Sequence, residues 1–166
     1  MPERPASPLD RLSRKLNATI EKSLFVIGFS MAALVAVQVF FRYVLNHSLF
    51  WSEELARFLL VWLTFLGASV AYHRRAHPGI DTFSLLLPAY LKKTAVICVH
   101  LASLALFSVM IFYGCQFAYF VRLQISPALY LPKWIIFSIV PLSGGVLMLH
   151  ALALFVKDLK GDSGDR

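Results

Sequence analysis

The sequence predicts an all-α integral membrane protein of four transmembrane helices, with short interfacial segments and both termini cytoplasmic (N-in/C-in). Three observations predict it. Apolar residues come in long runs, as a hydrocarbon core of about 30 Å demands of a helix that crosses it. Only 15% of the 166 residues are charged and 58% are hydrophobic, with a mean hydropathy of +0.69, whereas a soluble domain is about a quarter charged. The basic residues also sort by side: twelve lysines and arginines fall in the two tails and the turn after the second run, and four fall opposite. The positive-inside bias then places both tails in the cytoplasm.

The whole chain, 1–166, reads as a single four-helix membrane domain with cytoplasmic tails at 1–18 and 157–166. The first tail is polar and proline-rich, and its basic residues precede an apolar run as in a signal peptide. That run, Leu24 to Phe41, is longer than a signal-peptide core and lacks a convincing cleavage site. It is expected to be a retained span over Ile20–Leu45. Gly28, Ala32 and Ala36 recur every four residues along it, a spacing that lets another helix approach closely in lipid. Gln38 and Arg42 share one face near its far end.

Phe50 and Trp51 mark a head-group belt, and a second span follows over Ser52–Tyr72. His73, Arg74, Arg75 and His77 form a charged exit, closed by Pro78-Gly79. The segment Asp81–Pro88 is too short to span, so an interfacial turn is expected there. The third span, Tyr90–Val121, is roughly 45 Å long, against a core of about 30 Å, so it must tilt, kink or protrude. Gly114 and Ala118 give it a second small-residue pair. Arg122–Lys133 is a proline-bounded turn. The fourth span, Pro132–Val156, contains Pro141 with Gly144 and Gly145 behind it, and a kink is expected at that point.

The net charge of +7 raises the question of nucleic acid. Its basic residues lie between apolar spans and not on one polar face, so anionic lipid head groups are the expected partners and nucleic acid is not. Cys98 and Cys115 lie roughly 25 Å apart along one helical run, too far for a disulfide. They read as small apolar fillers.

Three clusters are candidates for chemistry. Arg42, Glu53, Glu54 and Arg57 gather near one membrane face, where unpaired charge is costly. Glu53 and Arg57 are spaced for a helical ion pair. Glu54, about 100° further round, is placed to meet Arg42 of the first span. The group reads as a structural clasp, as a docking site for a partner subunit, or as an ion relay; the relay needs deep carboxylates, which the third and fourth spans lack. His100 and His150 lie at similar depth on neighbouring spans and form the alternative reading, a small electron carrier with a b-type haem between them. His73 and His77 have a metal-binding spacing, but Pro78 follows and no third ligand is near. There is no nucleophile–base set, phosphate loop or Cys/His array, so no catalytic residue, cofactor or metal is assigned and an enzyme is not expected.

At this point the residues carry a resemblance. The stretch from Gln38 to Asp81 resembles the signature of the small membrane subunit (DctQ-like) of tripartite ATP-independent periplasmic (TRAP) transporters. The matching elements are Gln38 and Arg42, Trp51-Ser52-Glu53-Glu54, Trp62, Phe65-Leu66-Gly67-Ala68, and His77 with Asp81. Ser126-Pro127-Ala128, Pro132, Trp134 and Pro141 resemble the family's turn into its last helix. Pro78-Gly79 departs from the family pattern. The resemblance implies a multi-pass protein of the bacterial inner membrane. It would be a non-catalytic scaffold subunit that pairs with a large membrane subunit (DctM-like). A periplasmic substrate-binding protein would deliver an organic acid for sodium-driven uptake. Gln38, Arg42, Trp51, Glu53, Glu54, Arg57 and Gly67 are the structural or subunit-interface residues expected on this reading.

Overall fold

The structure, a computed structural model, describes residues 8–74 and 89–159, without the side chains of 89–93, 96 and 157–159. Arg75, His77, Pro78-Gly79, the expected interfacial turn at 81–88 and the tail from 160 lie outside the described residues. Among the described residues, five helices make up four spans: α1 (Pro8–Tyr43), α2 (Phe50–His73), α3 (Ala89–Phe120), the short α4 (Lys133–Phe137) and α5 (Ile139–Leu159). All four spans are long and apolar enough to cross a membrane, α4 and α5 together forming the fourth.

Helix α1 begins twelve residues before the expected start and includes residues expected to form a tail. Pro8 opens the helix, where its fixed φ suits the first turn and its missing N–H costs nothing, and Asp10 complements the positive helix end. The early turns persist because Ser13, Asn17 and Ile20, spaced to share one face, are buried against the rest of the bundle. At the other end the chain leaves through Asn46 at φ 51, a left-handed conformation that asparagine tolerates better than most residues. The His47 N–H closes this exit on the Phe41 carbonyl at 3.0 Å.

The fourth span breaks earlier than the expected kink. Pro141 has no N–H to give the Phe137 carbonyl, and its ring crowds that carbonyl, so the helix is interrupted at Ser138, one turn before the proline. Helix α5 then starts afresh, with Pro141 in its first turn.

Helices α2 and α5 lie at the centre, α1 packs chiefly on α2, and α3 packs chiefly on α5. Glycine decides the α3–α5 approach. A Cβ on Gly114 would lie 3.0 Å from Pro141 Cδ, and one on Gly144 would lie 3.1 Å from Ile111 Cγ1. On the α1–α2 side, Gly28 faces Leu63 at ordinary contact distance, and Ala32 and Ala36 are exposed. The apolar core is small: Phe107, Leu147 and Ala151, ringed by Tyr72, Leu104, Met110 and Met148. Most large apolar side chains point outward, as expected where the solvent is lipid and close packing rather than hydrophobicity joins helices.

Candidate functional site

The charged groups of the described residues collect at the two ends of the bundle. The distal end holds the α1–α2 connection and the turn between α3 and α4; the terminal end holds the start of α1 and the end of α2.

At the distal end the two adjacent carboxylates of α2 have different partners. Glu53 Oε1 lies 4.0 Å from Arg42 Nη1 and accepts a long hydrogen bond from Gln38 Nε2 at 3.4 Å. Both charged side chains are more than half exposed, so this contact contributes about 0–1 kcal/mol in water. Glu54 is buried, and its Oε2 accepts the backbone N–H groups of Ala128 at 2.9 Å and Leu129 at 3.0 Å. The fully buried Ser126 sits beside the same carboxylate. Successive N–H groups in a turn converge on an anion, and the turn is braced for that purpose. Ser126 N–H donates to Leu131 O, Lys133 N–H donates to Gln124 O, and Tyr130 adopts φ 54.

This corrects the expected pairing. Arg42 meets Glu53, not Glu54, because one residue turns a helix by about 100° and α1 lies along the Glu53 side. Glu54 instead faces the start of the fourth span. The expected Glu53–Arg57 pair is not formed: Arg57 is exposed and makes no ion pair among the described residues, though its charge acts on Glu54. Trp51 is exposed at the rim beside Phe50. Gly67 lies further along α2, and a Cβ there would meet nothing within 4 Å.

The terminal end holds a second set of contacts that the sequence reading missed. Glu21 Oε1 accepts from Arg74 at 2.8 and 3.1 Å and from Asn17 Nδ2 at 2.7 Å, tying α1 to the end of α2. Ser13 Oγ lies 2.7 Å from His150 Nδ1, tying the start of α1 to α5. The His150 ring is fully buried and packs on His73 with centroids 4.8 Å apart. The one sequence signal was the Asn17–Glu21 spacing, which points to a local bond but not to Arg74.

Nothing in this geometry supports the haem alternative. His100 packs on Phe155 at 5.4 Å, while His150 turns Nδ1 to Ser13 and its ring to His73. No group of three or more His, Cys, Asp or Glu able to hold a metal occurs among the described residues. Cys98 and Cys115 are free and exposed.

These features define a multi-pass helical membrane protein whose charged residues fasten helices together. Comparison with known proteins gives its family. Residues 31–161 match the family described as tripartite ATP-independent periplasmic transporters, DctQ component. The chain is 35% identical over 111 residues to the sialic acid TRAP transporter small permease protein SiaQ of Vibrio cholerae, covering 65% of this chain and 63% of that protein. It is 27% identical over 158 residues to the isethionate TRAP transporter permease protein DctMQ of Oleidesulfovibrio alaskensis, covering 88% of this chain but 24% of that one. It is 29% identical over 154 residues to the ectoine TRAP transporter small permease protein TeaB of Halomonas elongata, covering 91% and 78%. The chain thus spans less than two thirds of the first two of these relatives. The chain belongs to the DctQ component family of TRAP transporters. It is a transporter component of the bacterial inner membrane, not an enzyme.

Proposed function

We propose that this chain is the scaffold subunit of a TRAP transporter. It would bind a large membrane subunit and support sodium-driven uptake of an organic acid delivered by a periplasmic binding protein. The observation that carries this reading is the alignment to DctMQ, where nearly all of this chain corresponds to about a quarter of a much longer permease. A segment like this one, continuous there with a larger permease, supports a fixed partnership here with a separate large subunit. The absence of deep carboxylates and the use of Glu54 as a fastening fit a scaffold better than an ion carrier. The names of the relatives mention sialic acid, isethionate and ectoine, so the substrate class follows the partner rather than this chain.

On this reading the distal end is periplasmic and the terminal end cytoplasmic, which the twelve-to-four basic bias supports. Gln38, Arg42, Trp51, Glu53, Arg57 and Gly67 then form a partly open strip on α1 and α2 for the large subunit, while Glu54 shapes the adjoining turn. The test is reconstitution in vesicles with a sodium gradient. Uptake is expected only when the large subunit, the binding protein and this chain are all present; uptake by this chain alone overturns the scaffold reading.

A further inference from the structure

We infer that the groove between α1 and α2 at the terminal end is a binding site for one anionic phospholipid. The groove is about 480 Å³ in volume and is ordered like an amphiphile. Thr19, Lys22 and Ser23 line its polar end; Val26, Ile27, Trp62 and Leu66 line the part nearer the middle of the spans. A soluble ligand has no use for that gradient, and a partner's apolar helix would leave Lys22 unmatched.

Charge selects the head group. Lys22 is exposed and makes no ion pair among the described residues. Arg11, Lys15 and Lys22 fall within about 40° of one another around α1, on the side that borders the groove. The nearby carboxylate of α1, Glu21, lies about 100° away from Lys22 and is engaged by Arg74 and Asn17. Among the described residues, the rim around Lys22 is therefore a cationic strip whose neighbouring acid, Glu21, is engaged elsewhere. Its hydroxyls are selective in another way. Thr19 Oγ1 donates to Lys15 O and Ser23 Oγ donates to Thr19 O, so both turn only lone pairs outward. A phosphate pairs with Lys22, and a head group carrying its own hydroxyls can donate to Thr19 and Ser23. Phosphatidylglycerol has both features; phosphatidylcholine carries a compensating cation and no donor. The acyl chain adds fit but little selectivity, because it leaves one apolar medium for another.

The site also accounts for an exposed surface. The most apolar 18-residue window of α1 has none of its residues buried, although α1 is packed on α2. A lipid held along the α1–α2 seam covers part of that window.

The test uses the purified full-length chain, stripped of lipid by detergent and re-exposed to dioleoyl phosphatidylglycerol or dioleoyl phosphatidylcholine. Bound lipid is counted by native mass spectrometry. The expected result is one retained phosphatidylglycerol, preferred over phosphatidylcholine by about fivefold or more, the scale of one lysine facing an anionic head group. Lys22→Glu should abolish that preference. Lys133→Glu, the same charge change at the distal end, should keep it. Circular dichroism checks that both variants remain helical; as Lys22 is exposed, Lys22→Gln serves as a milder second variant. Equal retention of the two lipids, or an undiminished preference in Lys22→Glu and Lys22→Gln, overturns the proposal. So does efficient cross-linking of Val26→Cys to another polypeptide in the assembled transporter, which would show that a protein fills the groove.

Discussion

Two neighbouring glutamates show how much one residue of helical rotation changes. Glu53 faces solvent and a half-exposed arginine; Glu54 is enclosed by backbone N–H groups of a turn 74 residues further on. Glu54→Gln keeps the shape but weakens two charge-assisted hydrogen bonds, and it brings an amide donor among groups that are already donors. Its thermal unfolding midpoint, measured in detergent, is expected to fall at least twice as far as that of Glu53→Gln. Equal shifts would mean that Glu54 does not hold the turn. The sequence indicated that this acidic pair matters but not which partner each member takes. That choice depends on where a distant turn places its amides, and side-chain spacing carries no record of it. The terminal cluster was hidden for a similar reason. Glu21 and Arg74 lie 53 positions apart, and nothing local to either announces the other.

Glycines sort by what lies across from them. Gly114 lies against Pro141, so Gly114→Leu forces α3 and α5 apart and is expected to destabilise the isolated chain by about 1–3 kcal/mol, the usual cost of overpacking. A denaturation series in detergent measures it. Gly67 has open space where its Cβ would stand. Gly67→Leu should therefore leave the stability of the chain unchanged but reduce co-purification with the large subunit several-fold, if that subunit approaches α2 there. Unchanged co-purification would remove Gly67 from the interface. The four spans themselves were legible, since each is a long apolar run with turn residues at its ends. The start of α1 was not: residues 8–19 are polar and give no membrane signal, and they stay helical because Ser13 meets His150 of α5 and Asn17 is buried, its amide bonded to Glu21 one turn on. The break at Ser138 was legible as a proline effect but misplaced by one turn, because a proline disturbs the carbonyl four residues before it.

The orientation of the whole molecule is open to a direct test. A single cysteine at position 48, with Cys98 and Cys115 replaced by serine, should react with a membrane-impermeant maleimide from the periplasmic side. Reaction only from the cytoplasm would invert the molecule and every assignment of its ends. The two ends are also expected to differ in dynamics. Ser13→Ala removes the bond to His150, so hydrogen exchange should rise across residues 8–20 while α3 and α5 stay protected. Uniform exchange would mean that this contact does not anchor α1. Family membership, by contrast, rested on the order of small motifs along the chain, and the match over residues 31–161 covers all of the residues that carry them.

The contact between Ser13 and His150 joins positions 137 residues apart, close to the first and last of the described residues. At a synthesis rate of about 5–20 residues per second, the ribosome takes on the order of ten seconds to pass from one to the other. Throughout that interval Ser13 lacks its partner on the final span, while Glu21 can already engage Arg74. A nascent chain that stalls before residue 150 therefore leaves the first turns of α1, around Ser13, undocked, and the last span to be made is the one that closes the first.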